Sequence, residues 1–186
     1  MVHKDIKKII FEYDEILESC EKLGREITED YKYSEDLVLI GLLKGSVPFM
    51  GDLMKKIDLK LSVEYMDVSS YHGTMESSGE VKIIKDLDTP IRNKDVLIVE
   101  DIIDTGRTLK TVISLLKQRG ASSVKVVTLV DKPVGRVVEL EADYVGLEVG
   151  NEFIVGYGLD YNELYRNLEY IGILEERVYQ QEVECE

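Results

Sequence analysis

Cations are what this sequence has too few of. Its 186 residues carry 23 Lys and Arg against 37 Asp and Glu, a formal net charge of −14. Such a deficit argues against a sequence-independent grip on DNA or RNA, which needs clustered basic side chains to displace counterions. It leaves room for a local basic pocket around a small anion. Thiols are scarce too: Cys20 and Cys185 are the only two, so no disulfide framework is implied and a reducing, cytoplasmic setting is expected. His3 and His72 are isolated and lack cysteine partners, which removes a zinc site. No apolar run approaches the roughly 20 residues of a membrane span. The opening Met1-Val2-His3-Lys4-Asp5 turns charged at once, without an apolar leader core. Internal repeats, low-complexity tracts and Pro-rich linkers are missing as well.

What is there is a core. Hydrophobic residues make up 44% of the chain, enough to exclude wholesale disorder, and the length suits a single domain over residues 1–186. The acidic end, 175–186, with five Glu, reads as a frayed tail. Ile16, Leu17, Cys20, Leu23 and Ile27 form the apolar stripe of a helix whose other face is solvated by Glu15, Glu18, Glu21 and Glu26. Residues 37–43 are continuously apolar and short, as a strand buried on both faces should be. Lys44-Gly45-Ser46 breaks that run, and Pro48 suits the first turn of a helix reaching Ile57. A strand over 61–69, a polar glycine-bearing loop over 70–79 and extended structure over 81–84 follow. Val96-Leu97-Ile98-Val99 is the cleanest buried strand. A helix over 108–119 is stopped by Gly120, and strands over 124–130 and 144–147 complete the alternation. Strand, helix, strand at these spacings predicts right-handed crossovers in an open, mostly parallel α/β sheet flanked by helices.

The informative segment is Val96-Leu-Ile-Val-Glu100-Asp101-Ile-Ile-Asp104-Thr105-Gly106-Arg107-Thr108. A buried strand is expected to end at two adjacent carboxylates; a short turn adds a third, and Thr105, Gly106 and Thr108 open a helix. Ligands gather beyond the carboxyl ends of parallel strands. Free amides and hydroxyls at a helix N-terminus cradle an anion, with phosphate the natural guest. Three carboxylates would repel a bare phosphate, a conflict that resolves if the ligand also brings hydroxyls and a divalent cation. The combination describes a sugar phosphate. No Gly-x-x-x-x-Gly-Lys-Ser/Thr and no Gly-x-Gly-x-x-Gly occurs here, which disfavours a Walker-type ATP site and the usual dinucleotide fold. Asp104-Thr105-Gly106 also matches an aspartic-protease triplet, but those enzymes are all-β and need a second catalytic Asp. Helix capping alone would account for one such residue, not for Glu100, Asp101, Asp104, Thr105 and Thr108 together.

With those residues in view, the segment resembles the binding motif for 5-phosphoribosyl-1-pyrophosphate (PRPP) of type I phosphoribosyltransferases, and the chain resembles the bacterial enzymes of that family acting on hypoxanthine. Leu43-Lys44-Gly45-Ser46 resembles the family's pyrophosphate loop, and Ser70-Tyr71 the start of its flexible catalytic loop. Val130-Asp131-Lys132-Pro133 resembles the segment bearing its purine-reading lysine. The stretch from Phe153 to Glu163 resembles its purine-stacking and metal-binding segment.

The resemblance implies a small hood formed by N- and C-terminal segments over the parallel sheet. It implies that Glu100 and Asp101 contact ribose hydroxyls and Mg²⁺, and that Asp104 is the proton acceptor or relay near purine N7. Residues Asp104, Thr105, Gly106, Arg107 and Thr108 would hold the 5′-phosphate, with no unique part for Arg107. Lys44, Gly45 and Arg166 would contact pyrophosphate, with the Leu43–Lys44 peptide cis or switching to cis. Lys132 would donate to O6 of a 6-oxopurine, Phe153 would stack on the base, and the backbone at Ile154 would read its edge. Asp160 would bind the second of a pair of Mg²⁺ ions, and Ser70 and Tyr71 would close over pyrophosphate. The implied reaction converts hypoxanthine, and guanine too, with PRPP to the nucleotide and pyrophosphate, in purine salvage, by a homodimer or homotetramer. Two rival readings are a phosphoribosyltransferase for xanthine or another base, and a PRPP-binding regulator on the same fold. The acidic balance and the Lys132, Phe153 and Asp160 set weigh against the regulator.

Overall fold

Residues Leu37–Leu42 form a strand buried at every position, and its side chains alternate between two separate cores. Leu37 and Leu39 face one side; Val38, Ile40 and Leu42 face the other. This period of two is what a central strand with helices on both faces requires. The computed structural model describes residues 2–70 and 81–180.

The chain order is β1 (Ile6–Phe11), α1 (Tyr13–Asp30), β2 (Leu37–Leu42), α2 (Ser46–Leu53), β3 (Leu61–Ser70), β4 (Val81–Lys85), β5 (Asp95–Ile103), α3 (Arg107–Gln118), β6 (Ser123–Asp131), β7 (Tyr144–Glu148), β8 (Ile154–Val155), β9 (Ile171–Leu174) and α4 (Glu176–Tyr179). The main sheet has six strands in the order β4-β3-β2-β5-β6-β7, parallel except where β4 returns antiparallel on β3. On one face α1 brings Ile16, Cys20, Leu23 and Ile27, and α2 brings Phe49, Met50 and Leu53, onto Leu39, Leu97, Val99 and Val127. On the other, α3 lays Leu109, Val112 and Leu116 against Val38, Ile40, Val96 and Ile98. Cys20 is fully enclosed and its thiol is pushed up to about 12, chiefly by burial, so it is an inert core residue.

The open α/β sheet is as expected, and parallel pairing sends β2, β3, β5 and β6 out at the same edge. A second, three-stranded sheet, β1-β9-β8, joins the two chain ends into the hood. Its apolar cluster is built from Ile6, Val155 and Leu174, with Leu168, Tyr165 and Tyr170 packed against it.

Two expectations need correction. β5 does not end at its acidic pair. It runs on through Ile103, with Ile102 paired to Val130 and Ile103 to Asp131, because β6 continues alongside and satisfies its backbone. The acidic end is not frayed where it is described. Glu176–Tyr179 is a helical turn, fastened where Arg177 donates to the Asp5 carboxylate at 2.7 Å and to the Lys4 carbonyl at 3.0 Å.

Candidate active site

At the shared edge, the loop after β5 makes a cradle. Gly106, the residue before α3, stands in the left-handed region with φ 76° and offers no side chain as a cap. The amides of a helix's first turn carry a partial positive charge. The concavity is lined by Glu100, Ile102, Ile103, Asp104, Thr105, Gly106, Thr108 and Leu109. Arg107 is the exposed first residue of α3 and does not line it.

A neighbouring cleft is lined by Asp101, Ile102, Asp104, Lys132, Glu152, Phe153, Ile154, Leu159 and Asp160. Ile102 and Asp104 belong to both concavities, which meet at these two residues. Lys132, just beyond β6, sends its ammonium to 3.3 Å from the Glu152 carbonyl at the cleft wall. Phe153 remains 39% exposed, an unusual cost for a phenyl ring in a chain with a well-filled core. Ile154, which also lines the cleft, is buried in β8.

Asp104 is placed by close backbone approach. A Cβ built on Gly135 would lie 1.7 Å from its carboxylate oxygen, so any side chain there would have to push the Asp104 carboxylate aside. Arg136, half-sunk next to it, donates to the carbonyls of Ile103, at 2.8 Å, and of Asp104, and it pairs with Asp131. Arg136 thus fastens the turn that carries Asp104 to the end of β6.

The loop after β2 is drawn equally tight. The Leu43–Lys44 peptide is cis, as the resemblance implies. A Cβ on Gly45 would lie 1.6 Å from the Asp101 carboxylate, and one on Gly158 would lie 2.1 Å from the Gly45 carbonyl. Three strand-end segments therefore touch at Gly45. Arg166 donates to the Gly158 carbonyl at 2.7 Å and pairs with Asp160 at 2.9 Å, while Glu163 binds Lys44 at 2.9 Å. Lys44 and Arg166 thus flank one place, each held by a carboxylate. The Lys44 ammonium holds Glu163 below the usual carboxylate range.

Glu100 and Asp101 go the other way. Burial, and for Glu100 the adjacent Asp101 charge, push both carboxyl groups upward, with the Ile102 amide partly offsetting this at Asp101. Two neighbouring carboxylates that resist ionisation suit a divalent cation, which would relieve the repulsion. Asp160 lies across the cleft. Among the described residues, no three His, Cys, Asp or Glu side chains converge to enclose an ion. That donor set fits Mg²⁺, which keeps several waters and shares oxygens with its substrate.

Of the other residues the sequence singled out, Ser70 ends β3 at the same edge, and Tyr71 with the rest of the 71–79 loop lies outside the described residues. Thr105 and Thr108 line the cradle. Sequence reasoning missed Ile102, Gly135, Arg136 and Glu163. Ile102 read only as an apolar residue in the short turn between acids, and Arg136 looks like any surface cation until its guanidinium is placed.

An open parallel sheet with a glycine-started helix beside paired acids, and a hood over a second cleft, defines a class that comparison confirms. Residues 9–162 match the model of the phosphoribosyl transferase domain, and the chain belongs to that family. It is 56% identical over 179 residues to the hypoxanthine-guanine phosphoribosyltransferase of Streptococcus pyogenes serotype M3, covering 96% of this chain and 99% of that one. The Streptococcus mutans enzyme of the same name matches at 56% identity over 96% of this chain and 99% of its own. The crystal structure of a hypoxanthine phosphoribosyltransferase from Staphylococcus aureus superposes with a TM-score of 0.91 at 54% identity, covering 95% of this chain and 96% of that one. A Trypanosoma cruzi hypoxanthine phosphoribosyltransferase reaches a TM-score of 0.94 at 36% identity over 100% of both chains.

Proposed function

We propose that this chain transfers the 5-phosphoribosyl group of PRPP to N9 of hypoxanthine, and of guanine, releasing pyrophosphate and serving purine salvage. The observation that carries the reading is the junction at Asp104: one carboxylate lines both an anion cradle and a base-sized cleft with an exposed phenyl wall. A cradle and a cleft meeting at a proton acceptor suit a reaction that joins a sugar phosphate to a heterocycle. The relatives named hypoxanthine-guanine phosphoribosyltransferase supply the substrates.

In this reading the start of α3, with Thr105, Gly106, Arg107 and Thr108, holds the 5′-phosphate. Glu100 and Asp101 take the ribose hydroxyls and one Mg²⁺, and Asp160 takes a second. The ions, when bound, neutralise negative charge on PRPP and its leaving group. Lys44, Gly45 and Arg166 receive the pyrophosphate, and pyrophosphate displaces Glu163 from Lys44. Phe153 stacks on the purine, the Ile154 backbone reads its edge, and Lys132 turns from the Glu152 carbonyl to donate to O6. The C1′–O bond to pyrophosphate breaks ahead of attack by N9, through an oxocarbenium-like transition state, and N9 then completes its bond to C1′. Asp104 accepts the proton that leaves N7. Ser70 and Tyr71 close over the pyrophosphate and keep water from the cationic sugar. The chain works as a homodimer or homotetramer in the cytoplasm. Among the described residues no helix is long and apolar enough to cross a membrane.

The reading is tested by Asp104→Ala. The turnover rate with hypoxanthine should fall by about 10²- to 10⁴-fold, while IMP binding measured by calorimetry persists. A variant that retained turnover would remove Asp104 from the proton path.

A further inference from the structure

The Phe153 ring is not held by the cleft it borders. Tyr179, the last residue of α4, stacks on it with centroids 5.1 Å apart and planes inclined by 21°. Tyr161 meets it edge-on at 5.6 Å and 86°. Neither tyrosine lines the cleft itself. Both rings therefore pack on Phe153 from outside the cleft lining, and Phe153, which lines the cleft, keeps 39% of its surface exposed.

α4 is a single short turn and would not hold Tyr179 in place by its own hydrogen bonds. It is fastened at both ends of the chain instead. The Glu175 amide donates to the Asp5 carbonyl at 2.9 Å, and Arg177 reaches the Asp5 carboxylate and the Lys4 carbonyl. The Asp5 carboxylate also accepts from the Tyr165 hydroxyl at 3.1 Å. One residue before that anchor, the Leu174 amide donates to the carbonyl of Phe153 at 2.9 Å. The amide that holds the Phe153 backbone and the ring against its side chain thus belong to one continuous segment, 174–179.

We infer that Tyr179 is a positioning residue for the purine: it backs the Phe153 ring so that its remaining surface is fixed before the base arrives. The inference rests on the reading of Phe153 as the stacking ring proposed above. An aromatic ring that is already oriented loses less freedom when a base stacks on it. Stacked aromatic pairs gain about 0.5–1.5 kcal/mol beyond their burial. Loss of the backing ring should therefore weaken the base by roughly two- to ten-fold and leave the sugar phosphate alone.

The test measures KM for hypoxanthine, KM for PRPP and kcat in the full chain, with wild type beside Phe153→Ala, Tyr179→Ala, Tyr179→Leu and Tyr179→Phe. Leu keeps apolar bulk in the hood without a ring face, and guards against an Ala variant that fails to fold. Both Ala and Leu should raise the hypoxanthine KM by about two- to ten-fold with the PRPP KM unchanged, and Phe should restore the wild-type value. Equal rises in both KM values would mean a loosened hood, and would overturn the positioning claim. So would a Phe variant that behaves like Leu. If Phe153→Ala raises the hypoxanthine KM and the Tyr179 variants do not, Tyr179 is an ordinary packing residue. If Phe153→Ala itself leaves the hypoxanthine KM unchanged, the base-cleft reading fails, and this inference with it.

Discussion

At Asp101, burial works against ionisation, and the neighbouring Glu100 adds repulsion to the pair. The sign of the consequence follows from linkage. A carboxyl group raised in the folded state contributes stability below its unfolded pKa of about 3.9, and that contribution is lost as pH rises through the folded value. The metal-free protein should therefore carry a stability penalty at neutral and alkaline pH that it lacks in mild acid. Asp101→Asn keeps the size and the acceptor for the Ile102 amide while removing the charge. Its melting temperature, by scanning calorimetry with chelator present, should exceed wild type by about 2–4 °C at pH 8 and converge with it near pH 4. Turnover should fall in the same variant. Lys132 is the other decisive single residue. Lys132→Ala should leave the PRPP KM intact and erase most discrimination between hypoxanthine and adenine, a preference that such donors can set at roughly 10⁴-fold. A base-competition assay reads that ratio directly.

Elements explain what the sequence showed and what it hid. β2, α3 and the strand at 96–99 were legible because buried strands and amphipathic helices write their periods into consecutive residues. β1 was not legible. Ile6-Lys7-Lys8-Ile9-Ile10-Phe11 keeps neither period, and its partner β9 lies at the far end of the chain, with two register irregularities between them. α4 was hidden for the same reason, since its acidic composition reads as solvated until Asp5 is brought beside Arg177. The Lys44-Gly45-Ser46 motif after β2 was visible, but the contact of Gly45 with both Asp101 and Gly158 was not, because close backbone approach leaves no trace in spacing. Gly45→Ala should displace the Asp101 carboxylate and abolish PRPP-dependent turnover, with the fold retained by circular dichroism. Glu163→Gln releases Lys44 from an exposed ion pair of the kind usually worth under about 1 kcal/mol. The PRPP KM should fall, by no more than about five-fold.

At the scale of the molecule, one edge of a parallel sheet gathers the loops after β2, β5 and β6, and the hood sets Phe153 and Asp160 across from them. Charge follows the same division. A chain of net charge −14 concentrates Lys44, Lys132 and Arg166 around that edge, so anion binding is local and does not depend on the overall balance. The site motifs were readable in their order along the chain, whereas the convergence of two clefts on Asp104 needed the fold. The measurement that bears most directly on this arrangement is PRPP- and Mg²⁺-dependent nucleotide formation from hypoxanthine, guanine, xanthine, adenine and uracil, each offered separately. Rapid formation of IMP and GMP with adenine and uracil silent is the predicted result. Turnover of adenine or uracil in preference to hypoxanthine, or of no base despite PRPP binding, would contradict it.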